Sequence, residues 1–285
     1  MRVEDCIVTV ERRTLGGCVD LAFVFARELF GPLFRLLLVC AVPCIAIVWL
    51  LTSRLTLQLI PCILVTMFFT GVFSSLLVSC MGPQVFGVPI SVRSAVRVWR
   101  RRFWVWLILT GIMRLFQALS GFCFVIPSVF VTAFAAYVPE VLFLEQAPAS
   151  KVTTRLNWLA GGGGYSRSLG RSAALTLSWW LMGLSLFVLI DFLSTMLLNM
   201  PILVSRVTFR SSDPGDQIAE TFEAWFQMVG DDPRVAIATQ LAIWLPYPVI
   251  RLAWFFCYLD QRIRNECWDL QLQCRIEASR LESVT

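Results

Sequence analysis

The chain has 285 residues, of which 58% are hydrophobic and 15% are charged, and its mean hydropathy is +0.73. The surface of a water-soluble domain cannot hide that much apolar area, so the composition indicates a protein whose solvent is mostly a lipid bilayer. The net charge of +5 is modest, and we expect it to report orientation in the membrane and not an affinity for nucleic acid.

The N-terminal segment predicts an amphipathic helix over 14–30 that lies in the membrane interface. Thr14 is a suitable N-cap, and Gly31 and Pro32 predict a break before the membrane. The apolar stripe of this helix consists of Cys18, Leu21, Ala22, Phe25 and Leu29. Charged residues are scattered through the first 31 positions, so we expect no cleavable signal peptide.

The apolar runs that follow are long enough for about six membrane-spanning helices. A span needs ~17–25 apolar residues at 1.5 Å per residue, and continuous apolar runs without alternation disfavour strands. The predicted spans cover residues 32–51, 55–81, 103–119, 122–144, 173–199 and 235–258. A tight turn at Ser120 and Gly121 is expected to separate the third span from the fourth. The sequence therefore predicts a single all-α domain over 1–285, a polytopic transmembrane helix bundle with interfacial amphipathic helices.

The distribution of Lys and Arg predicts the orientation of these spans. Seventeen of the 24 basic residues fall on one side of the predicted membrane, four fall on the other side, and three fall within spans. Cytoplasmic segments carry such an excess of basic residues. Both termini are therefore predicted to be cytoplasmic, which requires an even number of crossings.

The segment after the second span predicts a basic amphipathic helix at the cytoplasmic surface. Ser91 is a suitable N-cap, and Val92, Val96 and Trp99 lie opposite a basic face that suits anionic lipid headgroups. The predicted headgroup-binding residues are Arg93, Arg97, Arg100, Arg101 and Arg102.

Two further segments outside the spans predict helices. The outer loop 201–233 predicts a short acidic helix that begins at Asp213 and Pro214. This helix could be an interfacial connector on the outer leaflet, or it could cover the mouth of the bundle. The sixth helix is predicted to continue over 259–283 in the cytoplasm. Its i,i+4 ion pairs would be Asp260 with Arg264 and Arg262 with Glu266.

Four charged residues lie deep in the predicted spans, where a charge is costly unless it is paired or hydrated. By depth, Asp191 matches Arg114 near the outer ends of spans five and three. Glu140 matches Arg251 near the inner ends of spans four and six. We expect two interhelical ion pairs. The four residues could instead line an ion, proton or substrate path, or snorkel without pairing, and as pairs they could fix helix registry.

The residue types that most catalytic and metal sites need are missing. The chain has no His and a single Lys, which excludes Ser-His-Asp triads and His-ligated metals. No Lys follows the glycine run 161–164, as a phosphate-binding loop requires. The ten cysteines include no C-x-x-C pair, so we interpret them as packing residues. We expect no catalytic residue, no cofactor and no metal, and carboxylate chemistry alone stays open.

A family resemblance is carried by ERRTLGGCVDLAFVFARELFGPLF, VPEVLFLEQAPASKVTTRLNWLAGGGG and YLDQRIRNECWDLQL. These stretches resemble the polytopic membrane domain ahead of some bacterial glycerophosphodiester phosphodiesterases, a domain that also has free-standing relatives without assigned activity. The matching residues are Glu145, Pro148, Arg155, Trp158, Asp260, Arg262, Arg264, Trp268 and Asp269. The resemblance implies an accessory helix bundle of a bacterial cytoplasmic membrane. It does not imply phosphodiesterase activity, because that activity uses histidine and this chain has none.

Abundant amphipathic surface without recognisable chemistry favours a non-enzymatic scaffold or accessory subunit of a membrane-associated or envelope-associated assembly. Its partners would be the lipid bilayer, anionic headgroups, and membrane or cytoplasmic proteins of unknown identity, and no nucleic acid. The alternative is a transporter or lipid-handling protein that uses a Pro-kinked bundle and its buried ion pairs. A membrane enzyme built on carboxylates would need clustered acids, which the sequence does not supply.

Overall fold

The computed structural model describes residues 12–54, 59–85, 92–123, 130–133, 135–161, 165–199, 202, 228–229 and 232–266. Within these ranges the backbone is almost entirely α-helical and forms no strand. The predicted all-α fold class is therefore confirmed.

The helices have the following bounds in chain order: α1 Leu15–Glu28, α2 Phe30–Arg54, α3 Leu59–Val85, α4 Val92–Arg101, α5 Phe103–Cys123, α6 Val138–Phe143, α7 Ala149–Gly161, α8 Tyr165–Leu198, α9 Pro233–Trp244 and α10 Tyr247–Glu266.

Four helical stretches of the described chain are long and apolar enough to cross a membrane. They are Phe30–Ser53, Ile60–Gly82, Tyr165–Leu197 and Pro233–Glu266, the last formed by α9 and α10 together. The helices at the predicted third and fourth spans are shorter apolar stretches, Phe103–Gln117 and Phe130–Phe143. The chain is thus a membrane protein with at least these four candidate spans.

The start of the chain follows its sequence signals closely. Thr14 is the N-cap of α1, and its Oγ1 accepts a hydrogen bond from the backbone N–H of Gly17 at 3.2 Å. The break before the membrane falls at Leu29, slightly earlier than predicted. Gly31 and Pro32 instead lie in the first turn of α2, where a proline removes no hydrogen bond that the helix needs.

The helices differ from the predicted spans in three places. The expected turn at Ser120 and Gly121 lies inside α5, because a membrane helix tolerates a single glycine at a cost of about 1 kcal/mol. α8 begins at Tyr165, eight residues before the predicted fifth span at 173. The sixth span is two helices, because the chain turns at Leu245 and Pro246 before α10 begins.

Several predicted features lie outside the described residues. They are the N-cap Ser91, the acidic helix at Asp213 and Pro214, the glycines at 162–164, and the tail beyond Glu266. The described part of the tail, up to Glu266, does continue α10 as a helix.

Polar residues inside α3 are compatible with an apolar surrounding because their hydroxyls bond to their own helix. Thr66 Oγ1 donates to the carbonyl of Cys62 at 2.8 Å, and Ser75 Oγ donates to the carbonyl of Gly71 at 2.9 Å. A hydroxyl that bonds to the carbonyl four residues earlier needs no water. These side chains therefore do not by themselves mark a polar path.

The first compact unit takes the described residues within Met1–Leu36, Gly71–Thr176 and Val249–Thr285. α10 forms its core, since all side chains from Ile250 to Gln261 are buried. The ring of Phe256 meets Phe25 of α1 edge to face, with centroids 5.1 Å apart. On the α7 side, Gln261 Nε2 donates to the carbonyl of Leu159 at 3.1 Å. The prediction of a single domain over 1–285 stays a prediction.

The second compact unit takes the described residues within Leu37–Thr70 and Leu177–Pro248. Its apolar cluster joins α8 and α9 to Ile202 and Val229, which lie in the chain between these helices. Its buried members are Phe187, Ile202, Val229, Val235, Ala238 and Ala242. Trp179 Nε1 of α8 also donates to the carbonyl of Ile243 at 3.1 Å. α8 and α9 therefore pack closely in this unit.

The close approach of α8 to α9 at Gly183 predicts a size limit. A Cβ atom at Gly183 would lie 3.5 Å from the carbonyl oxygen of Ala242, which is ordinary contact with no room beyond it. We expect Gly183→Ala to be tolerated and Gly183→Leu to lower the free energy of unfolding by about 1–3 kcal/mol. Thermal unfolding in detergent measures the difference. Gly111→Leu is the control, because nothing lies within 4 Å of that position, and equal melting temperatures for both leucine variants would contradict the close packing.

Candidate functional site

The buried ion pair between Glu140 and Arg251 joins α6 to α10. Arg251 Nη2 lies 2.5 Å from Glu140 Oε1, and Arg251 Nε donates to Ser74 Oγ of α3. The side chains are 0% exposed for Glu140 and 3% exposed for Arg251. The structure therefore brings together the two residues that their depth in the sequence had matched, and encloses them within the first unit.

This pair is a single-point contact and not a bidentate one. Glu140 Oε2 and Arg251 Nη1 have no hydrogen-bond partner in the described ranges. A buried pair with unmatched polar atoms gains little over an apolar pair of the same size, but loss of one partner is costly. Such geometry suits the fixing of helix registry better than a large gain in stability.

The other two predicted membrane charges lie in different compact units. Asp191 is 3% exposed in α8, and its Oδ1 accepts a hydrogen bond from the backbone N–H of Ile202 at 2.8 Å. Arg114 of α5 donates from Nη1 to Gln117 Oε1 at 3.1 Å, and Gln117 donates in turn to Thr132. An ion pair between Asp191 and Arg114 stays a prediction.

Asp260 of α10 is the centre of a second buried cluster. Its Oδ2 lies 2.5 Å from Arg171 Nη2 and 2.7 Å from Arg264 Nε. Its Oδ1 accepts a hydrogen bond from the backbone N–H of Arg13 at 2.7 Å. Both arginines also donate to the carbonyl of Arg13, Arg171 at 3.3 Å and Arg264 at 2.9 Å. Asp260 therefore ties the segment before α1 to α8 and α10.

The i,i+4 pair of Asp260 with Arg264 was predicted and is confirmed, whereas Arg171 was missed. The sequence prediction placed Arg171 in a cytoplasmic segment before the fifth span and gave it no partner. Ser168, Ser172 and Leu175 are buried at helical spacing around it. Two of these three residues are polar, so apolar periodicity offered no signal that could have placed Arg171 on a buried face of α8.

Glu145 anchors a third cluster, at the turn between α6 and α7. Arg155 Nε lies 2.7 Å from Glu145 Oε2, and Arg155 also contacts Glu266 of α10. Glu266 accepts from Arg262 Nε at 2.8 Å, which confirms the second predicted i,i+4 pair. Tyr258 donates its hydroxyl to Glu145 as well. The cluster joins α7 to the C-terminal end of α10.

The electrostatics of Arg155 follow from these contacts. Burial acts to lower its pKa, but the hydrogen bonds and charges of Glu145 and Glu266 outweigh that effect, so the pKa is raised. Its guanidinium carbon also lies 4.9 Å from the ring centroid of Trp158. Glu145, Arg155, Trp158 and Arg262, which carry part of the family resemblance, thus lie together in the structure.

Arg102 differs from the other predicted headgroup-binding residues. Its Nη1 donates to the carbonyls of Leu142 at 3.2 Å and Ala147 at 2.9 Å, and its Nη2 donates to the carbonyl of Gln146 at 2.9 Å. Gln146 has a φ of 54°, which is unfavourable for a residue with a side chain. Arg102 therefore holds the strained turn that carries Glu145, whereas Arg93, Arg97, Arg100 and Arg101 are exposed.

No group of three His, Cys, Asp or Glu side chains in the described ranges could hold a metal ion. A shallow apolar cleft in the first unit is lined by residues including Leu29, Leu33, Leu77, Met81 and Leu252. The arrangement can fix helices to one another and present basic and apolar surfaces.

The Asp260 cluster predicts that the N-terminal segment depends on one carboxylate. Asp260→Asn removes the charge that pairs with both Arg171 and Arg264, and it weakens the oxygen that accepts a hydrogen bond from the backbone N–H of Arg13. We expect a loss of about 3 kcal/mol of stability and faster tryptic cleavage after Arg13. Limited proteolysis in detergent, followed by mass spectrometry, measures the rate. Asp20→Asn is the control because Asp20 is exposed, and equal cleavage rates in the two variants would show that Asp260 does not hold this segment.

The contacts of Arg102 predict a local effect on the turn after α6. Arg102→Gln should weaken this turn by about 1–3 kcal/mol, because charge-assisted hydrogen bonds to its carbonyls are lost. The amides of Glu145 and Ala147, which bond to the carbonyls of Glu140 and Val141, should exchange with deuterium faster. Arg101→Gln removes the same charge from an exposed neighbour and should leave this exchange unchanged. Accelerated exchange in both variants, or in neither, would contradict a specific clamp.

The comparisons with known proteins leave the resemblance as a prediction. No family model matches the chain, and neither the curated proteins nor the solved structures provide a match.

Proposed function

We propose that this chain is a non-enzymatic integral membrane scaffold or accessory subunit of a membrane-associated assembly. The observation that supports the proposal is that the buried charged side chains contact other groups of the protein. The buried charged side chains of the described residues are Glu140, Arg171, Asp191, Arg251 and Asp260. Each contacts a protein group in its own compact unit. Charges that are committed to internal contacts support a structural role, and they leave the exposed basic and apolar faces for partners.

We further propose six spans with both termini on the cytoplasmic side of a bacterial cytoplasmic membrane. The four long helical stretches, together with the shorter apolar stretches Phe103–Gln117 and Phe130–Phe143, support the number. The excess of basic residues at one side supports the orientation. The bacterial location rests on the family resemblance alone.

The second candidate is a lipid-handling protein or transporter. A transporter of polar substrates needs a polar route to a buried charge, and the enclosure of Glu140 and Arg251 offers it no support. The apolar cleft between the start of α2, α3 and α10 is the observation that favours the lipid-handling form. Stoichiometric lipid without any protein partner would be its expected signature.

Purification in a mild detergent tests the scaffold proposal. The full chain, with a C-terminal affinity tag, should elute with a second protein in fixed stoichiometry. Light scattering coupled to size-exclusion chromatography gives the mass, and mass spectrometry identifies the components. An unrelated polytopic protein with the same tag is the control for adventitious capture. A chain that elutes repeatedly as a partnerless monomer would contradict the proposal.

The proposed topology predicts opposite behaviour for two reporter fusions. A fluorescent protein at the C-terminus should fluoresce, and alkaline phosphatase at the same position should be inactive, because that end is proposed to be cytoplasmic. The matched control is fusion after Arg210 in the outer loop, where the phosphatase should be active. Active phosphatase at the C-terminus would overturn the orientation.

A further inference from the structure

The four exposed arginines of α4 form one continuous face. Arg93, Arg97, Arg100 and Arg101 recur at positions i, i+4, i+7 and i+8, which places them within an arc of about 100° around a helix of 3.6 residues per turn. Ala95, which is 2% exposed, lies on the opposite side of the helix. The positive charge of this short helix is therefore concentrated on its exposed face.

Arg102 is excluded from that face by the same geometry. It follows Arg101 by about 100° around the helix and lies on the side of Ala95. Its guanidinium is bound to the carbonyls of Leu142, Gln146 and Ala147. Arg102 thus fixes α4 against the rest of the first unit, and the orientation of the four-arginine face is set by the fold.

The junction between α4 and α5 places this face at the edge of an apolar surface. The ring of Trp99 packs against Phe103 and Trp106, with centroids 5.0 and 5.4 Å apart, which fixes the junction. Beyond it, Trp104 is 72% exposed, and Ile108 is 62% exposed on the next turn of α5. An exposed tryptophan between basic and apolar surface is typical of the headgroup level of a membrane.

We propose that Arg93, Arg97, Arg100 and Arg101 bind the phosphate of an anionic phospholipid headgroup. A guanidinium donates two parallel hydrogen bonds to a phosphate, and four of them on one helix face concentrate the positive charge that attracts an anionic headgroup. The apolar strip of α5 that follows would accommodate the acyl chains. The inference deepens the proposed function by naming a lipid partner, and it rests on the proposed membrane insertion of α5.

Native mass spectrometry of the full chain in an uncharged detergent tests the site. Phosphatidylglycerol and phosphatidylcholine with identical acyl chains are titrated separately, and the dissociation constants are compared. We expect at least about tenfold tighter binding of phosphatidylglycerol, because the four arginines attract its net negative charge and phosphatidylcholine carries none. The variant with all four arginines changed to Gln should lose this preference. A variant with four Lys keeps the positive charge and should retain part of the preference for phosphatidylglycerol. It serves as the test if the Gln variant fails to fold.

The matched control removes the same charge elsewhere. Its changes are Arg12→Gln, Arg27→Gln, Arg35→Gln and Arg167→Gln, all at exposed positions. This control should keep the preference for phosphatidylglycerol. No preference in the unmodified chain, or equal loss in the control and the four-Gln variant, would overturn the site. Complete displacement of the lipid by millimolar inorganic phosphate would also overturn it, because the ligand would then be the free ion. Binding is measured on the isolated chain, so its failure is distinct from the absence of a protein partner.

Discussion

A charge in an apolar surrounding needs a partner, and α10 contains two buried charged residues that have one. Arg251 and Asp260 are buried in that helix, and each reaches across to another element, Glu140 of α6 or Arg171 of α8. Apolar packing alone lets a helix rotate or slide at small cost among other apolar helices. A register that leaves a buried charge unpaired is costly, so these contacts favour the observed register of α10 in the first unit.

The sequence predicted the elements better than their ends. Long apolar runs, the Thr14 cap and the i,i+4 pairs of α10 are local signals, and the structure contains all of them. The ends of α5 and α8 were misplaced, because Gly121 is a weak helix breaker in an apolar surrounding and Arg171 resembles a surface charge. The contacts of Arg102 with three carbonyls were beyond prediction, since carbonyls carry no sequence signal.

Part of the candidate site could likewise be predicted from the sequence, and part could not. Depth in the predicted spans was enough to match Glu140 with Arg251, because a buried charge selects a partner at its own level. The sequence also predicted a surface of five arginines. Only the structure shows that four of them form an exposed face and that the fifth, Arg102, binds backbone carbonyls. Neighbouring residues of identical charge therefore have different roles. Arg101 faces outward, whereas Arg102 supports the turn that carries Glu145. A structural and interfacial role for the charged residues accounts for both observations, and it underlies the proposal of a scaffold.

If the buried charges of α10 are specific structural pairs, Glu140 and Arg251 must depend on one another, and a double-mutant cycle on these two residues measures that dependence. Unfolding of the full chain in mixed micelles gives the free energies for Glu140→Gln, Arg251→Met and the double variant. Each single change should cost about 3–5 kcal/mol, and the double change should cost clearly less than their sum, because no unpaired charge then remains. Additive effects within about 0.5 kcal/mol would contradict the account, since they would show that the two residues do not depend on one another.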